Sequence, residues 1–356
     1  MTFVRDSRQG GRRILVTGGT GFLGRPLVRR LIADGYRVRV LARSAARGEV
    51  ARRLGAEVAV GDVADIDSFG RAVAGCEIAV HLAAGTSGSG KDGESATVHG
   101  TSNLMSLCAT HAVKRLVYMS SCSVYGVADC PEHATVTENS PLERFPERRG
   151  AYAASKLKAE RLVRDAMGPS AIPTVILRPG TIYGPGGAIF PPMMGFAVRS
   201  HYIVIGSGEF VLPLVYVDNL VDAVVMSIEK DEAVGCIFNV VDTERIDKRT
   251  YMDRVVRRID DRARVTYVPY SLVYGMTWLQ ERTFKLIGRD PVLTCYRLTS
   301  SQKRVDYDSS FISTRLGWQP RVSVTDATDR VVASTLSAQF GSGEHAQVPA
   351  PSDSAS

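Results

Sequence analysis

The first patterned segment is a short apolar run, Ile14-Leu15-Val16, that ends in a glycine-rich turn. Residues 26–34 place apolar side chains at helical spacing, and Gly35 stops them. Residues 37–42 alternate Val38, Val40 and Ala42 against Arg37, Arg39 and Leu41, which is the period of a strand. The same reading gives strands at 57–60, 78–82, 116–119 and 174–177. It gives helices at 66–74, 96–112 and 152–167, the first ended by Gly75. Strands separated by helices at this spacing build a parallel sheet covered on both faces. The expected fold is α/β: a Rossmann-type doubly wound parallel sheet over residues 12–185. Ligands in such sheets sit beyond the carboxyl ends of the strands.

After Tyr183 the pattern changes. Gly184-Pro185-Gly186-Gly187 and Pro191-Pro192 break regularity. Residues 186–335 are expected to form a smaller, mainly helical substrate-binding lobe. Two β-like runs, at 214–217 and 238–241, are expected to return to the main sheet, so that 215–242 belongs with it. The tails, 1–11 and 341–356, carry no apolar pattern and are expected to be disordered.

Composition narrows the function classes. With 356 residues, 44% hydrophobic and 23% charged, the chain can bury a core without disulfide or metal staples. Lys and Arg outnumber Asp and Glu by 44 to 37, but the excess is spread along the chain. It is not interleaved with aromatics on a nucleic-acid module, so a solvated basic surface is expected and no nucleic-acid partner. The six cysteines form no C-x-x-C pair and none stands at zinc spacing from a histidine. That points to a reducing, cytoplasmic setting and to no metal. No apolar leader opens the chain, and no apolar stretch reaches the ~18 residues of a membrane span, so no stable membrane insertion is expected.

The first motif with chemistry is the turn after the first strand, Thr17-Gly18-Gly19-Thr20-Gly21-Phe22-Leu23-Gly24. Glycines at 18, 21 and 24 let backbone approach a pyrophosphate, and the following helix offers free N–H groups to it. Gly18, Thr20, Gly21, Phe22 and Leu23 are therefore candidate dinucleotide contacts. At the end of the second strand an acid usually grips the ribose of NAD. Ala42 stands there, followed by Arg43, with Arg47 one turn on. An arginine at this place suits a 2′-phosphate. NADP is thus expected over NAD. Asp62 and Val63, after the third strand, are placed to meet the adenine.

The second motif is split. The fifth strand runs into Ser120-Ser121-Cys122-Ser123-Val124-Tyr125-Gly126, and Tyr152-Ala153-Ala154-Ser155-Lys156 follows on a helix. Residues four apart share a helical face, so Tyr152 and Lys156 are neighbours. Hydride transfer at a carbinol carbon needs a proton at its oxygen. A phenol near pKa ~10 is a poor base alone, and an adjacent ammonium lowers it. Ser121 holds the substrate oxygen in this reading, with Ser123 and Tyr183 near the substrate. Strand alternation puts Ser121 and Ser123 on one face and Cys122 on the other. His81 and the other histidines read as structural.

In this order the motifs resemble those of an extended short-chain dehydrogenase/reductase of the NAD-dependent epimerase/dehydratase family. The resemblance spans about residues 13–335. It rests on TGGTGFLG at 17–24, GDV at 61–63, HLAA at 81–84, SSCSVYG at 120–126, YAASK at 152–156, RPGTIYGPG at 178–186, VYVDN at 215–219 and LGWQP at 316–320. It implies Ser121, Tyr152 and Lys156 as the catalytic set. It also implies cofactor contacts from Leu82, Ala83, Ala84, Pro179 and Ile182, and a homodimer formed through two helices. Thr97 departs from the family's N-x-x-G-T pattern. Dehydratases of the family carry Asp-Glu where this chain has Cys122-Ser123, which disfavours dehydration. Nucleotide-sugar enzymes often carry an arginine before V-x-V-D, where this chain has the apolar 208–213. The expected activity is oxidoreduction of a secondary alcohol or ketone of a small molecule. The rival is a nucleotide-sugar epimerase with retained NAD; a non-catalytic dinucleotide sensor would need none of the three catalytic residues. The aromatic-rich segment 268–287 is expected to pack on the core or to line an apolar substrate site, with membrane contact as a third reading.

Overall fold

The computed structural model describes residues 11–83, 90–168, 171–289, 291 and 293–341. Apart from Gly11 and Gly341, the two expected tails lie outside those residues, as does Ala84.

The first half alternates strands and helices: β1 (Arg13–Thr17), α1 (Gly24–Ala33), β2 (Arg37–Ala42), α2 (Ala45–Arg53), β3 (Glu57–Val60), α3 (Ile66–Val73), β4 (Ile78–His81) and α4 (Gly90–Thr110). Next come β5 (Arg115–Met119), β6 (Ala134–Val136), α5 (Pro146–Arg149), α6 (Ala151–Asp165), β7 (Thr174–Pro179) and β8 (Thr181–Tyr183). The second half holds β9 (Gly195–Val198), β10 (His201–Ile205), β11 (Leu214–Tyr216), α7 (Val217–Glu229), β12 (Ile237–Val240) and α8 (Lys248–Tyr251). A π turn leads into α9 (Arg257–Ile259) and then β13 (Arg264–Val268), α10 (Tyr270–Leu286), α11 (Cys295–Gln302), β14 (Val305–Tyr307), α12 (Ser310–Leu316) and α13 (Val324–Gly341).

Seven parallel strands form the main sheet in the order β12-β7-β5-β4-β1-β2-β3. The central strands are buried on both faces; Ile14, Leu15 and Val16 are fully covered. That is why β1 reads as a continuous apolar run and not as an alternation. The strand order reverses between β1 and β4, which opens a crevice at their carboxyl ends.

One expectation about the sheet is corrected. β12 joins its edge beside β7, but β11 does not return to it. β11 pairs with β8 in a separate two-stranded ladder. The chain leaves the main sheet at Gly180, where a side chain would run into the Pro213 carbonyl, and Thr181 N–H then bonds that carbonyl at 2.7 Å. The second lobe also carries a three-stranded sheet, β13-β10-β9, beside its helices. Trp318 is fully buried and donates its indole N–H to the Asn219 carbonyl at 3.0 Å. That contact ties the 316–320 motif to the start of α7.

Candidate active site

β1 ends at Thr17, and the chain turns through Gly18 at φ +72°. A side chain there would press on the Ala83 backbone, and one at Gly24 would overlap the Gly18 carbonyl. The turn therefore lies flat against β4 and leaves room for a phosphate. α1 begins at Gly24, and its Leu23 cap supplies no side-chain hydrogen bond. Arg25 N–H is already bonded to the Gly21 carbonyl and Pro26 carries none, so the N–H groups open to an anion are those just before them, of Phe22, Leu23 and Gly24.

A cleft of about 930 Å³ opens over this turn. Its dinucleotide half is lined by Gly18, Thr20, Gly21, Phe22 and Leu23, by Arg43 and Arg47 after β2, by Asp62 and Val63 after β3, and by Leu82 and Ala83 after β4. Arg43 and Arg47 are both exposed on its rim. Deeper in stand Ser121, Ser123, Tyr152, Lys156, Pro179 and Ile182. Residues read from four separate stretches of sequence thus meet in one cavity. A nicotinamide dinucleotide fits these residues: the glycine turn and α1 for its pyrophosphate, Arg43 and Asp62 for its adenosine half.

Tyr183 does not line the cleft. Next to Ile182 on β8 it points the opposite way and is 2% exposed, packed edge-on against Tyr216 at 5.5 Å. It is a core residue and not, as expected, a substrate contact. The cysteine argument also changes. β5 ends at Met119, and Ser121 caps a 3-10 turn at Cys122–Val124. Strand alternation therefore does not reach Cys122. The turn brings Cys122 to the cleft lining beside Ser121 and Ser123, so the expected opposite face is corrected, while its Sγ is buried and donates to the Arg178 carbonyl at 3.2 Å.

Tyr152 and Lys156 lie one turn apart on α6. Tyr152 and Ser121 face the same cleft. Desolvation pushes the Tyr152 phenol above the ordinary tyrosine value, and the Ser121 hydroxyl pulls it part of the way back. Lys156 is buried and donates to the Met119 carbonyl at 2.7 Å. Burial pushes its ammonium down to about 8, against the opposing pull of Glu160. His81 is hydrogen-bonded to Thr17 Oγ1 at 2.8 Å and stacks on Tyr118. Burial pushes it down to about 3, so it stays neutral and structural.

Behind this set lies a buried polar network that the sequence did not announce. Glu160, two turns along α6 from Tyr152, accepts from Arg178 Nε at 3.0 Å and from the Ser120 hydroxyl. Arg178 also donates to Tyr125 at 2.7 Å, and Tyr125 donates to Asn239 at 2.6 Å. The network joins the end of β5, α6, β7 and β12, and so fixes Ser121 opposite Tyr152.

The substrate half of the cleft draws on the second lobe. Met193, Phe210, Pro213, Ser300, Ser301, Lys303, Val305 and Tyr307 line it, with Arg149 from α5. None of these carried a motif. Lys248 holds the wall in place: it is fully buried, donates to the Ile205 carbonyl at 2.8 Å and to Gln302 at 2.6 Å, and sits over the Phe210 ring. Ser123 Oγ and Ser300 Oγ are buried there without a protein partner. No residue of α10 lines the cleft, and most of its large apolar side chains are exposed. The expectations that 268–287 lines the cleft or packs into the core are therefore corrected.

A glycine-turn Rossmann sheet with a Ser-Tyr-Lys set at its crevice defines a dinucleotide-dependent oxidoreductase of the short-chain dehydrogenase/reductase type. The family model of the NAD dependent epimerase/dehydratase family matches residues 14–240, and the chain belongs to that family. It is 28% identical over 361 residues to a 3beta-hydroxysteroid-dehydrogenase/decarboxylase of Arabidopsis thaliana, covering 93% of this chain and 81% of the relative. It is 29% identical to a 4-hydroxy-2-methyl-3-oxo-4-farnesyl-3,4-dihydroquinoline-1-oxide ketoreductase of Stigmatella aurantiaca, covering 79% of this chain and 84% of that one. The crystal structure of gox2253 superposes with a TM-score of 0.76 at 26% identity, over 91% of this chain and 98% of that one. The chain is an NAD(P)-dependent oxidoreductase that moves hydride at an alcohol or ketone carbon of a small molecule.

The state of Lys156 sets a pH dependence. Were Tyr152 to give the proton in ketone reduction, a protonated Lys156 would stabilise the phenolate left behind. With the ammonium at about 8, its charge is present below that pH and lost above it. The kcat/KM for reduction, which reports the free enzyme, is expected to fall as pH rises through about 8. Lys156→Arg, charged throughout, is expected to flatten that limb; an unchanged limb in this variant assigns it to another group.

Proposed function

We propose that the protein is an NADP(H)-preferring reductase that interconverts an apolar ketone and its secondary alcohol. The observation that carries this reading is the meeting of Ser121, Tyr152 and buried Lys156 in one cleft with the glycine turn, opposite a wall to which Met193, Phe210, Pro213 and Val305 contribute apolar surface. Bound over the glycine turn, the dinucleotide supplies the hydride. Ser121 holds the substrate oxygen, and Tyr152 gives it a proton. Lys156 steadies the phenolate left behind. Ser123 and Ser300, with no protein partner for their hydroxyls, are suited to a second polar group of the substrate.

Met193, Phe210, Pro213 and Val305 favour an apolar substrate body over a nucleotide diphosphate. The relatives named above point the same way, since one is a hydroxysteroid dehydrogenase and one a farnesyl-quinoline ketoreductase. All six cysteines are free thiols, which suits a cytoplasmic setting. The homodimer rests on the family resemblance alone.

The test is stoichiometric. NADPH is expected to be consumed one for one with ketone reduced. Tightly retained NAD in the purified protein, with epimerisation and no net NADPH consumption, would overturn this in favour of an epimerase. The preference itself is tested by Arg43→Ala. Loss of charge-assisted contacts to a 2′-phosphate is worth about 10- to 100-fold in NADPH affinity. NADH affinity is expected to change much less; equal losses would remove the 2′-phosphate assignment.

A further inference from the structure

The helix α10 has an outward face that neither the fold nor the active site uses. It spans 17 residues, and Thr277 is the one buried residue along it. Its inner side meets α11: Tyr270 Oη and Thr299 Oγ1 are 3.1 Å apart, and Glu281 accepts from Cys295 N–H at 3.0 Å. At 3.6 residues per turn, Leu272, Met276, Leu279 and Leu286 follow one another at steps of four, three and seven on the side opposite Thr277. They are 55, 64, 61 and 87% exposed, and Ile287 extends the row at 59%. A single helix presenting such a continuous apolar row to water marks a docking surface.

A second row runs beside it. Trp278, Arg282 and Lys285 repeat at four and three residues along one flank of the apolar row, and Arg289 follows just past the end of the helix. Arg282 lies over the Trp278 ring at 5.2 Å. Glu281, the one acid of α10, accepts from Cys295 N–H and pairs with Lys285 at 2.9 Å, which leaves Arg282 and Arg289 as the cations that no acid on the helix offsets. An apolar row edged by tryptophan and cations is the pattern of a helix lying in a membrane interface. The charge decides between lipid and a second copy of this chain. Two copies packed face to face on α10 would bring their basic rows together, whereas an anionic headgroup layer neutralises them.

We propose that α10 is a peripheral membrane-docking helix that seats the protein on an anionic lipid surface. It lies on the surface and does not cross it: among the described residues no helix is long and apolar enough to span. α11, on which it packs, contributes Ser300 and Ser301 to the cleft wall. Docking therefore holds the substrate half of the cleft close to the bilayer. The inference stands whatever reaction the site performs.

The experiment uses the full-length chain and sedimentation with vesicles of phosphatidylcholine, with and without phosphatidylserine. At low salt the protein is expected to bind phosphatidylserine vesicles at least about tenfold better than neutral ones. The triple variant Leu272→Ser, Met276→Ser, Leu279→Ser is expected to lose binding to both while keeping its circular dichroism and melting temperature. A second triple variant, Arg282→Gln, Lys285→Gln, Arg289→Gln, is expected to lose only the anionic preference. Absence of binding to phosphatidylserine vesicles overturns the proposal. So does retained binding by the serine variant. So does a wild-type dimer that the serine substitutions convert to monomer without any vesicle binding.

Discussion

Replacing Tyr152 by phenylalanine is expected to lower turnover by on the order of 100-fold or more while dinucleotide binding is kept. The substitution removes one oxygen. The ring stays on α6 and still forms that side of the cleft. What disappears is the proton that the substrate oxygen takes up in reduction. Ser121 is no substitute as an acid, because an isolated hydroxyl holds its proton more tightly than a phenol does. Lys156 is committed to the Met119 carbonyl at 2.7 Å and lies a turn away. The loss should therefore fall on kcat, with the dissociation constant of the dinucleotide changed little, as fluorescence titration of the cofactor would show. Turnover near the wild-type value would sink the assignment of Tyr152. Loss of dinucleotide binding would instead mean that the substitution disturbs the cleft.

Replacing Glu160 by glutamine is expected to cost on the order of 3–5 kcal/mol of stability, because it leaves the Arg178 guanidinium buried without its counter-charge. Glu160 is fully buried and the Arg178 side chain is 1% exposed, so no water is at hand to take over. Urea unfolding should show a lower midpoint. A paired Glu160→Met, Arg178→Met variant is expected to regain much of the loss, since it removes both charges together. A single variant as stable as wild type would show that the pair contributes nothing. The network also bonds Ser120, the neighbour of Ser121, so the surviving folded Glu160→Gln protein should lose activity through misplacement of Ser121.

Much of the site was legible because its chemistry comes from local spacing. A glycine turn between strand and helix states its own geometry within eight residues. Tyr152 and Lys156 share a face by helical period alone. The Ser121 region sits where a strand of a parallel sheet must end. The errors have equally specific causes. Tyr183 departs from expectation because one residue's shift along β8 sends a side chain into the core instead of the cleft. Cys122 departs from strand alternation because its segment is already a 3-10 turn. β11 has the composition of a sheet strand, but Gly180 lets β8 leave the main sheet and take β11 as its partner. In α10 the apolar content was visible, and its side was not. Composition alone does not say which face of a helix meets its neighbour.

The sequence by itself determined the order of strands and helices, the phosphate turn and the pairing of phenol with ammonium, since each depends on contacts between residues close along the chain. Tertiary structure alone decided the far wall of the cleft and what supports it. Ser300 and Lys303 reach the cavity from more than a hundred residues beyond Tyr152, and Arg178 meets Glu160 across two elements. Those contacts depend on how helices and strands pack in three dimensions, and no local period encodes that.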